Sequence, residues 1–452
     1  MSSMFFFVNT LSVLIQKGRF SMNMKCASRI VGALCLGFLV ETNAFSIDVS
    51  ALHDKWKMVE IPDTLCGNGS PYRFFIRENS KSNNLAVISE PGGACWDYNG
   101  CYGRDGIFGA ANPDGIPEDF MSNLKVSSNP IINAFTWEKT PFGRVEPGKW
   151  NKIFLPYCTG DIFSGSLVKT YEDPTGRNPP MTYHHVGHRN MKRIIAWTSK
   201  KFPAVDKLMI TGMSAGGTGS LVNYHFWREA MNVKKGSYLL NDSGPIFFAD
   251  TEESSYSYRL HQKIYDAWGL DQVIAGLPPE LVDQFPLNDH DIPVFGYLPE
   301  FLATKYPNDR LGHTQFSMDT NYSRYSYEDF YGLNIHDEDD IKLMTDMWQE
   351  DQQDLIEQFD RYPNLSYFLP YFRKQMDSHC TTVGTFKGTE IESGGKKYNI
   401  GDYIENLLDD SQPMLSLYEE PNDSDKKVFS VVFPVVNRQM KKLHERLIRD
   451  HP

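Results

Sequence analysis

The sequence lacks the markers of several common classes of protein. Neither a Cys-x-x-Cys pair nor a His-Glu-x-x-His segment occurs among its 452 residues, so we expect no structural zinc site and no zincin metal site. It contains no internal repeat and no long low-complexity segment. Basic residues are outnumbered, since 45 Lys and Arg against 57 Asp and Glu give a formal net charge of −12. An acidic surface argues against nucleic acid or an anionic membrane as a partner.

No apolar run is long enough to span a bilayer comfortably. The strongest candidate, Ile30–Val40, follows two basic residues and is too short for a membrane helix. Small residues at Thr42-Asn43-Ala44 resemble a cleavage site. We therefore predict that residues 1–44 are a targeting segment, that the chain is secreted and that the mature chain has no membrane span. A second apolar stretch nearer the N-terminus is unusual for a signal peptide, so a later start of translation and an uncleaved anchor both stay open.

Cysteine is infrequent, with seven residues in the whole chain, two of them in the first 44 residues. The five that remain are Cys66, Cys95, Cys101, Cys158 and Cys380. In an oxidising compartment this odd number allows two disulfides and one free thiol. A local bridge between Cys95 and Cys101 is sterically easy.

The composition is that of a large globular protein, with 41% hydrophobic residues. Apolar strand patterns alternate with helical patterns, which predicts a mostly parallel central sheet with helices on both faces. We expect one domain over residues 45–425, with a lid insertion at about 251–312 and an acidic helix at about 338–360. A basic tail, residues 426–452, follows this domain and is most simply a solvated terminal helix.

One stretch predicts a catalytic nucleophile. The apolar run Leu208–Ile210 indicates a buried strand, and a helical pattern follows it. Between the two lie Gly212, Ser214 and Gly216, spaced as Gly-x-Ser-x-Gly, which is the nucleophile elbow of α/β hydrolases. The glycines allow strand and helix to approach closely. The alternative is a glycine-rich turn whose serine only caps the helix.

A second strand ends in paired glycines. Asn84–Ser89 is apolar and leads into Pro91-Gly92-Gly93. Backbone N–H groups of such a turn, together with that of Ala215 after the serine, would stabilise an oxyanion. The same tripeptide is also an ordinary turn.

A serine nucleophile needs a base and an acid, which in α/β hydrolases follow it in the order acid, then histidine. His379 follows the last clear strand, Leu365–Leu369, and is the preferred base, with His313 as its main rival. For the acid, Asp319 follows a strand predicted over Thr314–Met318. Asp242 also ends a strand, but the one directly after the elbow, so we rank Asp319 first.

Several short segments in this order resemble the pectin acetylesterase/Notum family, whose members are secreted α/β hydrolases that remove acyl groups from polysaccharides or from a lipidated protein. The resemblance covers roughly residues 55–410. It rests on the following segments: Glu90-Pro-Gly-Gly-Ala-Cys-Trp, Cys101, Ile153-Phe-Leu-Pro-Tyr-Cys158-Thr-Gly-Asp161, Gly212-Met-Ser-Ala-Gly-Gly-Thr-Gly and Asn241-Asp-Ser-Gly244.

The resemblance implies an α/β-hydrolase fold and roles for particular residues. It places the catalytic triad on Ser214, Asp319 and His379. It places the oxyanion donors on Gly92, Gly93 and Ala215. It implies disulfides Cys66–Cys158 and Cys95–Cys101, with Cys380 free, and neither a metal nor a cofactor. The chain departs from the family at Pro91–Ala94, where relatives carry a large aromatic residue, and in the lid, which matches no pattern.

The sequence therefore predicts a secreted serine carboxylesterase. The ester would carry an acyl group, which we expect to be acetyl, on a polysaccharide or a small molecule, and we expect a monomer. Two other classes stay open: a catalytically inactive carbohydrate-binding or signalling member of the fold, and a serine peptidase.

Overall fold

A computed structural model describes most of the chain, from Trp56 to Asn422 with gaps. The described residues are 56–104, 109–121, 135–136, 145–373, 378–382, 386 and 388–422. The predicted targeting segment, residues 1–44, and the predicted basic tail, residues 426–452, lie outside them. Within the described residues, no helix has the length and apolar character needed to cross a membrane.

The described strands and their order define a large, mostly parallel sheet. They are β1 Lys57–Leu65, β2 Pro71–Arg77, β3 Leu85–Ser89, β4 Asn151–Leu155, β5 Leu167–Tyr171, β6 Met181–His185, β7 Val205–Met213, β8 Val233–Asp242, β9 Arg310–Thr314, β10 Leu365–Leu369, β11 Ile391–Ser393, β12 Lys396–Tyr398 and β13 Leu417–Tyr418. The main sheet has the order β1-β2-β4-β3-β7-β8-β9-β10-β13. β2 pairs antiparallel with β1 and with β4. The other neighbours are parallel, so the predicted sheet is confirmed.

The central strands are apolar runs because both of their faces are covered. Every residue of β3, β4 and β10 is buried, as are the last six residues of β7. Crossover helices bury these faces. α3 (Ala215–Ala230), which directly follows β7, packs against β7 and β8.

The other described helices surround this sheet. They are α1 Tyr98–Cys101, α2 Gly187–Lys201, α4 Tyr258–Trp268, α5 Leu270–Ala275, α6 Pro279–Val282, α7 Leu298–Lys305, α8 Thr320–Tyr331, α9 Glu338–Asp360 and α10 Ile400–Leu407. Side chains cap four of them at the N-terminus: Asp97 caps α1, Asp319 caps α8, Asp337 caps α9 and Asn399 caps α10. Each accepts backbone N–H bonds that the first turn would otherwise leave unmade.

Two features differ from the sequence-based expectations. The strand predicted over Thr314–Met318 is wrong, because β9 ends at Thr314 and Asp319 is instead the N-cap residue of α8. β9 also begins at Arg310, inside the range assigned to the lid insertion. The segment between β8 and β9, which we call the insertion (residues 243–309), contains α4 to α7.

Two disulfides brace the part of the sheet that precedes the elbow. Cys66 pairs with Cys158 across 92 residues, and Cys95 pairs with Cys101 across six. Among the described residues, Cys380 is a free, buried cysteine. The insertion is hydrogen-bonded to the segment of the Cys95–Cys101 disulfide, since the indole N–H of Trp268 donates to the carbonyl oxygen of Cys95 at 2.8 Å.

Candidate active site

Ser214 occupies a strained turn at the carboxyl end of β7. Its backbone has φ +53° and ψ −125°, a conformation that non-glycine residues rarely adopt. Two backbone hydrogen bonds hold it there. Its N–H donates to Asp242 O at 2.7 Å, and its carbonyl oxygen accepts from Thr218 N at 3.0 Å. Ser214 directly follows the last residue of β7 and lines a cavity, which is the placement of the serine in a nucleophile elbow.

The glycines beside Ser214 are required by close backbone approach. A Cβ on Gly212 would collide with the carbonyl of Gly216, and a Cβ on Gly216 would collide with that of Ser89. β3 and the start of α3 therefore touch backbone to backbone. This contact brings the end of β3 directly beside the serine.

The loop after β3 forms the wall next to Ser214. Gly92, Gly93 and Ala94 line the same cavity as Ser214 and Ala215. Gly92 has no room for a side chain, because a Cβ there would lie 2.5 Å from Tyr157 Cδ1 and 2.6 Å from Ala111 Cβ. Buried Glu90 fixes the start of this loop, since its Oε2 accepts from Tyr157 N at 2.8 Å.

The structure brings Asp319 and His379 together from positions 60 residues apart. His379 Nδ1 lies 2.6 Å from Asp319 Oδ2, and both side chains are buried. Burial opposes protonation of the imidazole, but the adjacent Asp319 carboxylate and the side chain of Cys380 together raise the pKa of His379 well above its ordinary value. Because Asp319 binds Nδ1, Nε2 is the ring atom on which a proton from serine would be accepted.

Ser214 and His379 line the same cavity. Among the hydrogen bonds of the described residues, none joins Ser214 Oγ to His379. Bonds between nucleophile and base are commonly long or poorly aligned without substrate and shorten in the reacting complex. Chain order, burial and the shared cavity are therefore the observations that support Ser214 and His379 as a candidate nucleophile and base.

The two rival residues have other contacts. His313 lies buried within β9, where its Nε2 is 2.9 Å from Gln315 Oε1, and burial lowers its pKa to about 4. It does not line the cavity that contains Ser214. Asp242 is fully buried and binds Thr381 and Thr382, two and three residues after His379.

A large apolar cavity of about 860 Å³ opens from Ser214. It lies between α3 and the insertion, whose apolar side chains form much of its wall. Examples from the insertion are Leu260, Ile264, Val273, Ile274, Leu277 and Phe285. The altered loop contributes only Pro91, Gly92, Gly93 and Ala94. Trp96 instead packs against Tyr325 and Phe330 of α8, at ring centroid distances of 5.5 and 5.7 Å.

Apart from His379, no charged side chain of the described residues lines the cavity. None of the described residues that line it is Asp, Glu, Lys or Arg. Three histidines besides His379 line it, and burial lowers the pKa of His188 and of His261 to about 4 and lowers that of His225. All three are neutral at pH 7. Such a surface favours an uncharged, apolar ligand.

One described group brings three ligating side chains together away from this cavity. The sulfurs of Cys95 and Cys101 and a nitrogen of His185 lie within 4.8 Å of one another. Zinc and similar ions bind thiolates. Because the two sulfurs are joined in a disulfide, this group offers no thiolate.

Sequence reasoning missed the apolar wall of the insertion and the contacts of Asp242. A signal existed for the first. Leu260, Ile264 and Trp268 are spaced four residues apart and therefore share one face of α4. No local signal pairs Asp242 with Thr381 and Thr382, which lie 139 and 140 residues further along the chain.

Curated relatives match part of the chain. It is 25% identical over 205 residues to palmitoleoyl-protein carboxylesterase notum1a of Danio rerio, covering 44% of this chain and 37% of the relative. It is 25% identical over 196 residues to palmitoleoyl-protein carboxylesterase NOTUM of Homo sapiens, covering 42% and 35%. The match thus spans about a third of the length of these relatives. The inactive palmitoleoyl-protein carboxylesterase notum1b of Danio rerio is 29% identical over 119 residues, covering 26% and 76%.

Solved structures share the fold. The Wnt deacylase Notum from Drosophila superposes with a TM-score of 0.51 and 17% identity, covering 82% of this chain and 97% of that structure. A second crystal form gives a TM-score of 0.52, again with 17% identity, covering 83% and 99%. The predicted α/β-hydrolase fold is therefore confirmed. The family model described as pectinacetylesterase matches residues 42–290, more than half of the chain, and the chain belongs to this family of esterases and deacylases.

Proposed function

We propose that this protein is a serine carboxylesterase that hydrolyses esters of long apolar acyl groups through Ser214, His379 and Asp319. The observation that supports a long acyl chain is the apolar cavity of about 860 Å³ that begins at Ser214. Ligand pockets span about 300–1,000 Å³, so this cavity is near the upper end of that range. An acetyl group would fill only a small part of it.

The proposed mechanism uses groups already in contact or in one cavity. His379 Nε2 accepts the Ser214 proton as Oγ attacks the ester carbonyl, and Asp319 holds the imidazole by its Nδ1–H. N–H groups of Gly92 or Gly93 and of Ala215 stabilise the oxyanion, each lowering the barrier by about 2.7–4 kcal/mol. His379 then protonates the leaving alcohol. Water, deprotonated by the same imidazole, releases the carboxylic acid and restores Ser214.

A series of p-nitrophenyl esters from acetyl to dodecanoyl tests the acyl group. We expect kcat/KM to rise with chain length, at most about fourfold for each methylene that becomes buried, since burial is worth about 0.8 kcal/mol per CH₂. The acetyl ester is the substrate that the sequence alone predicts. If the acetyl ester has the highest kcat/KM, the long-chain proposal is wrong and the acetyl prediction stands.

The alcohol half of the ester is a separate question. A polysaccharide is the sequence-based prediction, whereas the curated relatives are named for an acylated protein. A release assay over acetylated polysaccharides and an acylated serine peptide, run with Ser214→Ala, would separate the two.

The inactive class is distinguished by labelling. One relative is named as inactive. An activated serine reacts with a fluorophosphonate probe, whereas an inactive member does not. We expect Ser214-dependent labelling of the purified protein and none in Ser214→Ala. An unlabelled wild-type protein would contradict the enzymatic proposal.

We also propose that the chain is secreted. Two disulfides are typical of proteins that fold in an oxidising compartment. The expected result is that the protein accumulates in the culture medium and begins after residue 44. N-terminal sequencing of the secreted product tests both parts.

A further inference from the structure

Asp242 holds the backbone beyond His379 with its side chain. It is the last residue of β8 and is fully buried. Its carboxylate accepts two backbone N–H bonds, from Thr381 at 2.9 Å and Thr382 at 2.9 Å. The hydroxyl groups of the same threonines donate at 3.2 and 2.6 Å, and Ser243 Oγ donates at 3.0 Å. Five hydrogen bonds thus satisfy a carboxylate that burial alone would disfavour.

The same residue holds the backbone of the nucleophile. Asp242 O accepts the N–H of Ser214 at 2.7 Å. The neighbouring Ser243 extends the connection, since its Oγ accepts the N–H of Cys380 at 3.0 Å. One strand end therefore contacts both Ser214 and the residues that follow His379.

The segment around His379 needs such an anchor. Ser378 has φ +51° and Cys380 has φ +67°. The residues on both sides of His379 therefore adopt a backbone conformation that is unfavourable for residues other than glycine. Such conformations persist only where surrounding contacts hold them. His379 also lies ten residues beyond the end of β10.

A triad role for Asp242 is not supported. Its carboxylate accepts hydrogen bonds from residues 243, 381 and 382, and none from the imidazole. Asp319 occupies the acid position, at 2.6 Å from His379 Nδ1.

We propose that Asp242 is a positioning residue, which sets the placement of His379 relative to Ser214 by binding both segments from one strand end. This role rests on the proposed esterase function. It makes the imidazole position depend on a carboxylate that touches neither substrate nor the reacting atoms. Misplacement of a catalytic group by about 1 Å can cost about 10²-fold in rate.

Asp242→Asn tests the role with little change in volume. The amide keeps one acceptor but directs an NH₂ group at donors of Thr381 or Thr382. We expect kcat to fall by about 10²-fold for a p-nitrophenyl ester, because the base is displaced. KM should change little, since the cavity wall is untouched. Fluorophosphonate labelling of Ser214 should slow in parallel.

Thr382→Val provides a milder variant. It removes the hydroxyl that donates at 2.6 Å and keeps the backbone N–H, so kcat should fall less than in Asp242→Asn. If Asp242→Asn does not fold, this variant decides the matter by itself. Wild-type kcat in Thr382→Val would then overturn the proposal.

Asp309→Asn is the matched control. Asp309 is also a buried carboxylate, bound by Tyr224 at 3.1 Å and Arg228 at 2.8 Å. It directly precedes β9 and so lies at the amino ends of the strands, whereas Asp242 lies at a carboxyl end. We expect it to lower Tm and leave the kcat of the folded protein unchanged. Wild-type kcat in folded Asp242→Asn, or an equal loss of kcat in Asp309→Asn, overturns the positioning role. A wild-type protein without Ser214-dependent turnover would instead contradict the proposed function, and the positioning role with it.

Discussion

The two carboxylate oxygens of Asp319 have different partners. Oδ2 lies 2.6 Å from His379 Nδ1, whereas Oδ1 accepts the N–H groups of Asn321 and Tyr322 at 3.0 and 2.8 Å. The first turn of α8 therefore orients the carboxylate that orients the imidazole. Helix capping and the proposed triad share one side chain.

Asp319→Asn separates these two roles. The amide oxygen can still cap α8, but the amide NH₂ would face His379 Nδ1 and favour the wrong tautomer. We expect kcat to fall by about 10⁴-fold, the loss that this change causes in a serine protease triad, while Tm changes little. Asp337→Asn is the control, since Asp337 caps α9 through the same bonds without a histidine partner. A comparable loss of kcat in the control would contradict the assignment.

The pH profile should report the same pair. Burial disfavours the imidazolium, but Asp319, with a contribution from Cys380, raises the pKa of His379 well above its ordinary value. The base is active only when neutral, so kcat/KM should fall as pH drops through this raised pKa. In Asp319→Asn the residual activity should persist to lower pH, because the stabilising negative charge is gone. An acidic limb at the same pH in both proteins would refute this account.

Filling the cavity should change chain-length preference. Val273 on α5 lines the cavity, and a tryptophan there would occupy part of its volume. We expect Val273→Trp to lower kcat/KM for the dodecanoyl ester and to leave the acetyl ester nearly unchanged. Gln272→Trp, on the exposed side of α5, is the control. Equal losses for both esters would show that the chain does not lie against α5.

The two disulfides should contribute unequally to stability. On a chain-entropy basis a closed loop of 92 residues is worth about 4.6 kcal/mol and one of six residues about 2.2 kcal/mol. The double variant Cys66→Ser, Cys158→Ser should therefore lower Tm more than Cys95→Ser, Cys101→Ser. Thermal unfolding of both variants at one pH makes the comparison, and a reversed order would contradict it.

Asp351 should make stability depend on pH. Burial raises its pKa to about 6, although Tyr327 OH and Ser257 Oγ donate to it at 2.6 and 2.7 Å. The folded state then binds more protons than the unfolded state between pH 4 and 6, so this carboxyl contributes stability at low pH that is lost as pH rises through 6. Asp351→Asn removes the titration. Its Tm relative to wild type should therefore rise between pH 4.5 and 7, and a constant difference would exclude this contribution.

Much of β7 and of the turn at Ser214 was predictable from sequence, because an apolar strand and glycines at a close backbone contact are local features. Gly212, Ser214 and Gly216 follow an apolar run, and each glycine avoids a collision with a neighbouring backbone. The strand predicted over Thr314–Met318 failed for a local reason too. Aspartate is common at helix N-caps as well as at the ends of strands, and Asp319 is the N-cap residue of α8.

The sequence by itself determined the parallel sheet, the elbow and the candidates for acid and base. Apolar runs, glycine spacing and chain order are properties of the chain, so no tertiary information was needed. Only the tertiary structure decided which carboxylate meets His379. Asp242 ends β8 and Asp319 caps α8, and the local sequence around either residue does not show which one packs against the imidazole. The tertiary structure also decided the apolar cavity, whose wall combines α3, the loop after β3 and the insertion, segments distant in sequence that folding brings into contact.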